Sequence, residues 1–497
     1  MINFLNLTHM IFRINLLLFT ILLLVGSVAK GQTITGNVID KITNETLAGG
    51  TIQIVNSFKG VVTNSEGDFS ISVPAEKNIT IRASFIGYSP STETISLKKG
   101  EKAVVNFALT SLTVEQQEVI VSGTRISTAR SNVPLTTSVI TEQEIETSSE
   151  INMMPLLGSS VPGIFVTERG ISGFGVAEGA AGKVSVRGVG SADQSQLLIM
   201  IDGQPQVMGI FGHSFPDMYQ TSNFEKVEVI RGPASVLYGS NAMGGVMNMI
   251  TKKQRNDGFS ARLTAQAGSF NTLRGTVTAG YKKGDFSLYA TYNHDRTDGD
   301  RANSAFNGDN GFVGFAWKMS NHFNLNLTGN ITNFHAVDPG SVFSPTPDVF
   351  TDNKAWADIK RGNTMLTLSN NFEKVNGHLK IFYNQGDHAI YTNWVSTDRN
   401  YGFSLFEGLT LFKNNLIGVG IDWNQYGGIG SPVMVPKIVD GAVKMVPGDY
   451  NNKWIDVSEQ AAFAFVQHEL FGSLTLNGGL RYSIHSLYGG NLIPQVG

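Results

Sequence analysis

The sequence predicts a mainly β protein: a small N-terminal β-sandwich, a compact α/β unit, and part of a transmembrane antiparallel β-barrel of about 11 strands. Three observations predict it. The chain opens with an export signal, after which no apolar run approaches the roughly 18 residues a spanning helix needs. Beyond residue 257, segments of roughly ten residues alternate apolar and polar side chains. The connections between those segments alternate short and long.

Composition narrows the class. Gly accounts for 55 of 497 residues and charged residues for 15%, against roughly 25% in soluble domains. A disordered chain is excluded by 41% hydrophobic and 10% aromatic content. The net charge of −3 and the lack of a basic run disfavour nucleic acid as a partner. Cysteine is absent, which removes disulfides, thiolate metal sites, Cys nucleophiles and a lipoprotein anchor together.

Residues 1–31 read as a signal peptide. Arg13 supplies charge, Ile14 to Val25 is apolar apart from Thr20, and Ser27-Val28-Ala29 places small residues before a cleavage point. An exported chain without spanning helices either stays soluble or crosses lipid as a closed barrel, which alone satisfies its backbone groups there.

Residues 32–111 read as a sandwich. Thr33 to Asp40, Gly50 to Val55, Gly60 to Thr63, Phe69 to Val73, Ile79 to Phe85 and Ala103 to Leu109 are the strands, with a turn at Asn64 to Gly67. The stretch from Gly36 to Pro74, followed by FIGYSP, resembles the carboxypeptidase-regulatory-like domain, which often precedes outer-membrane receptors. The resemblance carries no peptidase chemistry, since the segment has no His or Cys to hold a metal.

Residues 112–130 read as a polar linker followed by Glu118, Val119, Ile120, Val121 and Ser122, a short strand-former. Next, residues 131–253 carry Val184 to Gly188 (VSVRG), Leu197 to Gly203 (LLIMIDG) and Phe224 to Lys253 (FEKVEVIRGPASVLYGSNAMGGVMNMITKK). These motifs resemble the plug domain of TonB-dependent receptors, and the last matches over thirty residues. The resemblance marks Arg187, Gly188, Asp202, Gly203, Arg231, Gly232, Pro233, Tyr238 and Gly239 as plug-motif residues. It also makes Glu118 to Ser122 a TonB box, expected to be extended, mobile and exposed to the periplasm. Arg187 and Arg231 are expected to face polar groups of the barrel.

From 258 to 497, eleven strands are read: 259–269, 272–282, 285–294, 311–319, 322–333, 363–372, 378–386, 400–411, 415–425, 459–469 and 474–484. In 322–333, Phe323, Leu325, Leu327 and Ile331 share one face and Asn324, Asn326, Thr328 and Asn330 the other. Tight turns such as Lys283-Gly284 and Ser320-Asn321 alternate with long segments at 295–310, 334–362, 387–399 and 426–458, as in outer-membrane barrels. Plugged transporters have about 22 strands, so the chain is expected to be a fragment holding about half a barrel, with open sheet edges.

No enzyme motif is present: Gly179 to Val184 only approximates a P-loop, and HExxH and GxSxG are absent. No cofactor is expected. The resemblance implies an outer-membrane transporter that binds a scarce ligand, such as a ferric siderophore, cobalamin or another metal chelate. Its expected partners are TonB of the inner-membrane complex and outer-membrane lipids. Ligand-contact candidates are Met208, Phe211, His213, Phe215 and Met218, on a loop after Asp202-Gly203, for which plain packing against the barrel wall is the alternative, and His335, His388 and Trp394, which with Asp338, Trp356 and Tyr391 are read as long-loop residues, solvated or ligand-binding. A Met/His cluster suits copper, but no metal is assigned. The alternatives are a glycan-importing relative working with a surface lipoprotein, or a non-transporting surface binding protein. The Gly-Tyr-Gly usual after the box in the glycan type is replaced by Ser122-Gly123-Thr124-Arg125.

Overall fold

A computed structural model describes residues 32–110 and 119–497, apart from 42, 56, 58, 74–77, 99, 131–132, 134, 169, 175–182, 190–195, 211, 213, 338–354, 413, 433, 449–451 and 472–473. The expected signal peptide, the linker to Glu118, and Phe211, His213 and Asp338 lie outside the described residues. The chain divides into two compact units at Gln117/Glu118.

The first unit is a two-sheet sandwich. Strand β1 (Gln32–Asp40) runs antiparallel to β4 (Asp68–Val73) and parallel to β7 (Lys102–Val104) and β8 (Phe107–Leu109). The second sheet runs β3 (Gly60–Val62), β2 (Thr51–Ile54), β5 (Ile79–Ser84), β6 (Ser91–Ile95). Alternate residues of β1, β2, β4 and β5, with Phe107 and Leu109, close one apolar core. Where β1 passes from β7 to β8, the chain kinks inward: a Cβ at Gly36 would lie 1.7 Å from the Val105 carbonyl oxygen, so only glycine fits. Strand β6 was not expected. Its sequence, STETI, is mostly exposed and gives no apolar alternation.

In the second unit, β9 (Val119–Ile120) pairs with β10 (Thr128–Ala129). A five-stranded sheet follows in the order β11 (Thr137–Ile140), β16 (Phe224–Ile230), β17 (Gly245–Thr251), β14 (Leu197–Ile201), β15 (Gln204–Pro205). Only β14 and β17 run parallel. A separate hairpin joins β12 (Ile164–Val166) to β13 (Val184–Val186). Helix α1 (Glu142–Thr147) starts with a capping box between Thr141 and Glu144, and α2 (Met153–Ser160) is capped by the Asn152 side chain. Both helices turn apolar residues onto the sheet, and the core they form continues into wall residues Phe306, Phe334, Ala336, Ala357 and Ile359.

The wall is one antiparallel sheet of twelve strands, one more than expected. They are β18 (Gly258–Gly268), β19 (Thr272–Lys283), β20 (Phe286–Thr297), β21 (Phe306–Lys318), β22 (Phe323–Val337), β23 (Trp356–Asn371), β24 (Val375–Ile390), β25 (Val395–Leu409), β26 (Asn415–Ser431), β29 (Ile455–Leu470), β30 (Leu474–His485) and β31 (Gly489–Val496). The hairpin β27 (Met434–Val439) and β28 (Ala442–Pro447) lies between β26 and β29, turned by Asp440-Gly441, both at positive φ. Strand β31 escaped the sequence reading because Gly489, Gly490, Asn491 and Pro494 break its alternation. β18 and β31 end the sheet order.

Most strands also run several residues further at the long-connection end than their apolar alternation. There the outward positions turn polar, as with Asn307, Asp309, Asp358, Lys360 and Arg399, while the ladder continues. His335, Trp356 and His388 are therefore strand residues, and only Tyr391 and Trp394 sit in a connection, the tight one between β24 and β25.

The outward face carries half-exposed Leu, Val and Ile between two aromatic groups. Near the short turns Phe286 stacks on Trp317 at 5.5 Å and Phe323 meets Phe372 edge-on at 5.6 Å. Further up, Tyr383, Tyr401, Trp423 and Phe403 form a contiguous row. An apolar band bounded by aromatics is the membrane-facing pattern of such barrels. No helix among the described residues is long and apolar enough to cross a membrane.

Candidate functional site

The segment expected to be free is docked. Ile120 and Ser122 have no exposure, while Val119 is half-exposed. The reason is Glu228, itself fully buried on β16. Its Oε2 accepts the N–H groups of Val121 (2.9 Å) and Ser122 (2.7 Å) and the Ser122 hydroxyl (2.7 Å). A buried carboxylate needs such donors, because leaving one unpaired costs several kcal/mol. Lys226 completes the arrangement, with Nζ 2.6 Å from Glu228 Oε1 and donating to the Val119 carbonyl at 2.8 Å. Asn248 donates to Ser122 Oγ, and the Tyr238 hydroxyl donates to the Ser122 carbonyl at 3.0 Å. Burial pushes the Tyr238 hydroxyl up, so it stays a donor.

Three residues on, Arg125 ties this segment to the wall. Its guanidinium takes Asp422 of β26 bidentately, 3.0 Å on each side, and donates to Ser404 and to the Leu237 carbonyl. It stacks over Tyr238 (4.8 Å) and Phe463 (4.5 Å), and Arg481 shares Asp422 at 2.8 Å. Planar, bidentate and stacked contacts of this kind suit arginine and not lysine.

The plug-motif residues serve the fold. Asp202 (φ 48°) and Gly203 (φ 82°) make the turn after β14. Asp202 accepts the Thr251 N–H and hydroxyl, and its carbonyl accepts Lys380 Nζ at 2.6 Å. A Cβ on Gly203 would meet that ammonium at 2.6 Å. Tyr238 ends a short helix, α3 (Ser235–Tyr238), with Gly239 at φ 88° after it. Arg187 and Arg231 do not face the barrel as expected. Arg187 reaches the Arg231 carbonyl at 3.4 Å and Arg231 the Pro162 carbonyl at 2.9 Å. Arg187 is exposed, where water relieves the cost of leaving it without a carboxylate, whereas Arg231 is half-buried. Gly188, Gly232 and Pro233 flank them.

The ligand-contact candidates divide. Met208, Phe215 and Met218 are buried in the plug core, not presented at a surface. Phe215 stacks on His388 (4.9 Å) and lies under Arg361 (4.8 Å). Trp394 packs against the same core. His335 points outward from the sheet, bonded to Asp358 at 2.7 Å and beside Trp356, away from the plug.

Sequence reasoning missed the group that holds this loop. Arg361 and Asp398 form a fully buried, bidentate pair (2.8 and 3.0 Å), with Asn384 and His388 on the same guanidinium. Asp398 Oδ1 also accepts the Gly209 N–H at 2.8 Å. Both charges alternate with ordinary inward polar residues along their strands, so no motif marks them.

Between plug and wall, beside Val121, lies a polar cavity of about 470 Å³. Asn324, Asn326, Thr367, Lys253 and Lys380 line it, with Arg125 at one edge. Among the described residues no three His, Asp or Glu converge closely enough for a metal centre.

Residues 129–246 match the profile of the TonB-dependent receptor plug domain, and residues 34–121 match the CarboxypepD_reg-like domain. The vitamin B12 transporter BtuB of Vibrio vulnificus is 24% identical over 384 residues, 74% of this chain and 58% of that protein. Among solved structures, the siderophore receptor PirA from Pseudomonas aeruginosa superposes with a TM-score of 0.54 at 19% identity, covering 72% of this chain and 58% of that one. A ferric enterobactin receptor (PfeA) mutant from Pseudomonas aeruginosa, in complex with enterobactin, gives 0.59 at 17% identity, covering 72% and 59%. The chain thus spans under three-fifths of the length of these relatives. Two modules matched in sequence and the plugged barrel matched in fold make this chain similar to the TonB-dependent receptors, with a receptor plug domain at residues 129–246.

Proposed function

We propose that this chain takes part in energy-dependent uptake of a scarce metal chelate, of the ferric siderophore or cobalamin kind, across an outer membrane. TonB would pair by strand addition with the segment from Glu118 to Ser122. The observation that carries the reading is the wiring of that segment. Ser122 is clamped to the plug through Glu228 and Tyr238, and Arg125, three residues later, is clamped to the wall through Asp422. A pull on the segment therefore acts on the plug–wall contact directly. The polar cavity adjoins Val121, so displacing the segment opens its floor. The sandwich and the box would lie in the periplasm.

The test is proline substitution in the full-length receptor. Val121→Pro deletes the N–H that Glu228 accepts, and Val119→Pro interrupts the paired strand. Ligand binding at the cell surface should persist while TonB-dependent growth on the chelate is lost. Growth at the parental rate in both variants would overturn the assignment of the box.

A further inference from the structure

We propose that the plug and the wall bind a hard divalent cation of the Ca2+ type between Asp217 and Asp295. Asp217 lies in the 3-10 turn Pro216–Met218 of the plug and Asp295 on β20 of the wall. They are 4% and 2% exposed, and neither forms an ion pair with a described residue. Asp217 accepts the Phe174 N–H at a long 3.3 and 3.4 Å. The two carboxylates line one cavity of about 40 Å³ together with Glu150 and Glu168. Its one cation among the described residues, Arg274, donates from Nη2 to the Ile171 carbonyl and the Ser172 hydroxyl. Four carboxylates against one guanidinium leave a formal charge of −3 on the described lining.

An independent observation points the same way. Gln220, 4% exposed, also lines the cavity, and its Oε1 has no partner. Its Nε2 donates to the Asp217 carbonyl at 3.2 Å, which holds the amide beside the acids. An amide carbonyl and two carboxylates, one supplied by the wall, form an all-oxygen donor set suited to Ca2+. Among the described residues no His, Cys or Met lines the space, which disfavours softer metals. A single water needs roughly 10–15 Å³ of such volume, so the cavity admits an ion with a water or two. A proton could relieve the two acids, but it would leave the space and the Gln220 oxygen unused.

The experiment uses the full-length receptor in detergent, stripped with EGTA and titrated with Ca2+ by equilibrium dialysis. Wild type should bind one more Ca2+ per chain than Asp217→Asn or Asp295→Asn, and its melting temperature should rise with Ca2+. Gln220→Glu, which adds charge to the donor set, should tighten binding about tenfold. Gln220→Leu, which leaves both acids in place, should weaken it, and it serves if the Asn variants fail to fold. Equal Ca2+ stoichiometry in wild type and the variants would overturn the proposal. So would an Asp217→Asn receptor that is more stable than wild type in EGTA while wild type ignores Ca2+, since that is the signature of shared protons.

Discussion

The plug is fastened to the wall at both ends, and the two fastenings are built differently. At the long-connection end, Arg361 and Asp398 form a dry pair capped by Phe215 and His388, with Gly209 of the plug loop bonded to the same carboxylate. At the short-turn end, Ser122 and Arg125 hang on Glu228 and Asp422 beside a polar cavity. Breaking a dry pair strands a charge in a low-dielectric interior. The lower contacts also use buried charges, Glu228 and Arg125, but a polar cavity adjoins them and gives water a way in once they part. The pair at the upper end joins two wall strands and holds the plug through Gly209 and Phe215, whereas the lower end is the one that water can help to open.

Removing a partner of the dry pair should have the largest effect. Asp398→Ala leaves the Arg361 guanidinium buried and uncompensated, at a cost of about 3–5 kcal/mol. Denaturant unfolding of the full-length receptor measures it, and a loss under 1 kcal/mol would collapse the contrast between the two ends. Next comes Glu228→Gln, which replaces a charged acceptor of three donors and removes the partner of Lys226. Local opening should become easier by about 1–3 kcal/mol. It should appear as faster amide exchange at Val121 and Ser122 with little change in global melting, and a global shift without local exchange would show that the lower end is no easier to open.

Arg125→Lys should cost less, about 1 kcal/mol, because the charge stays while the bidentate geometry and the stacking on Tyr238 and Phe463 go. A double-mutant cycle with Asp422→Asn reads the coupling. The smallest effect belongs to Glu146, whose hydrogen bond from Lys252 holds its carboxyl below the usual range, against a modest desolvation. A lowered carboxyl contributes stability above its unfolded value of about 4.5, lost as pH falls through the folded value. Glu146 itself is exposed to solvent, so Glu146→Gln should cost only a few tenths of a kcal/mol at pH 7 and nothing in strong acid.

The wall was legible because its signal is local: Phe323, Leu325 and Leu327 alternate with Asn324 and Asn326 wherever one face meets lipid and the other the lumen. That signal stops where outward residues become polar, and so His335 and His388 were assigned to loops although their strands run on. The docking of Val121 and Ser122 was not legible. Its cause, Glu228, lies 107 and 106 residues away and reads as an ordinary polar position in a strand. Arg361 and Asp398 were missed for the same reason: a buried ion pair is a relation between two strands, and neither residue announces it alone. Asp202-Gly203 and Gly239 were legible, because the backbone conformation each needs is written in the residue itself.

The shared core has a consequence for how the molecule is assembled. Phe306, Phe334, Ala336, Ala357 and Ile359 belong to the wall, yet they close the same apolar cluster as Leu157, Ile199 and Val229 of the plug. The plug completes the burial of its hydrophobic surface only once β21, β22 and β23 are in place, so it does not reach its final packing alone. Its residues must wait, partly ordered, while contacts more than a hundred positions apart are made. Interactions of such long sequence separation form slowly, and the apolar side chains that wait are exposed to aggregation meanwhile. Plug and wall should accordingly mature in one late step, and chains interrupted before β23 should be found in the hands of chaperones or proteases.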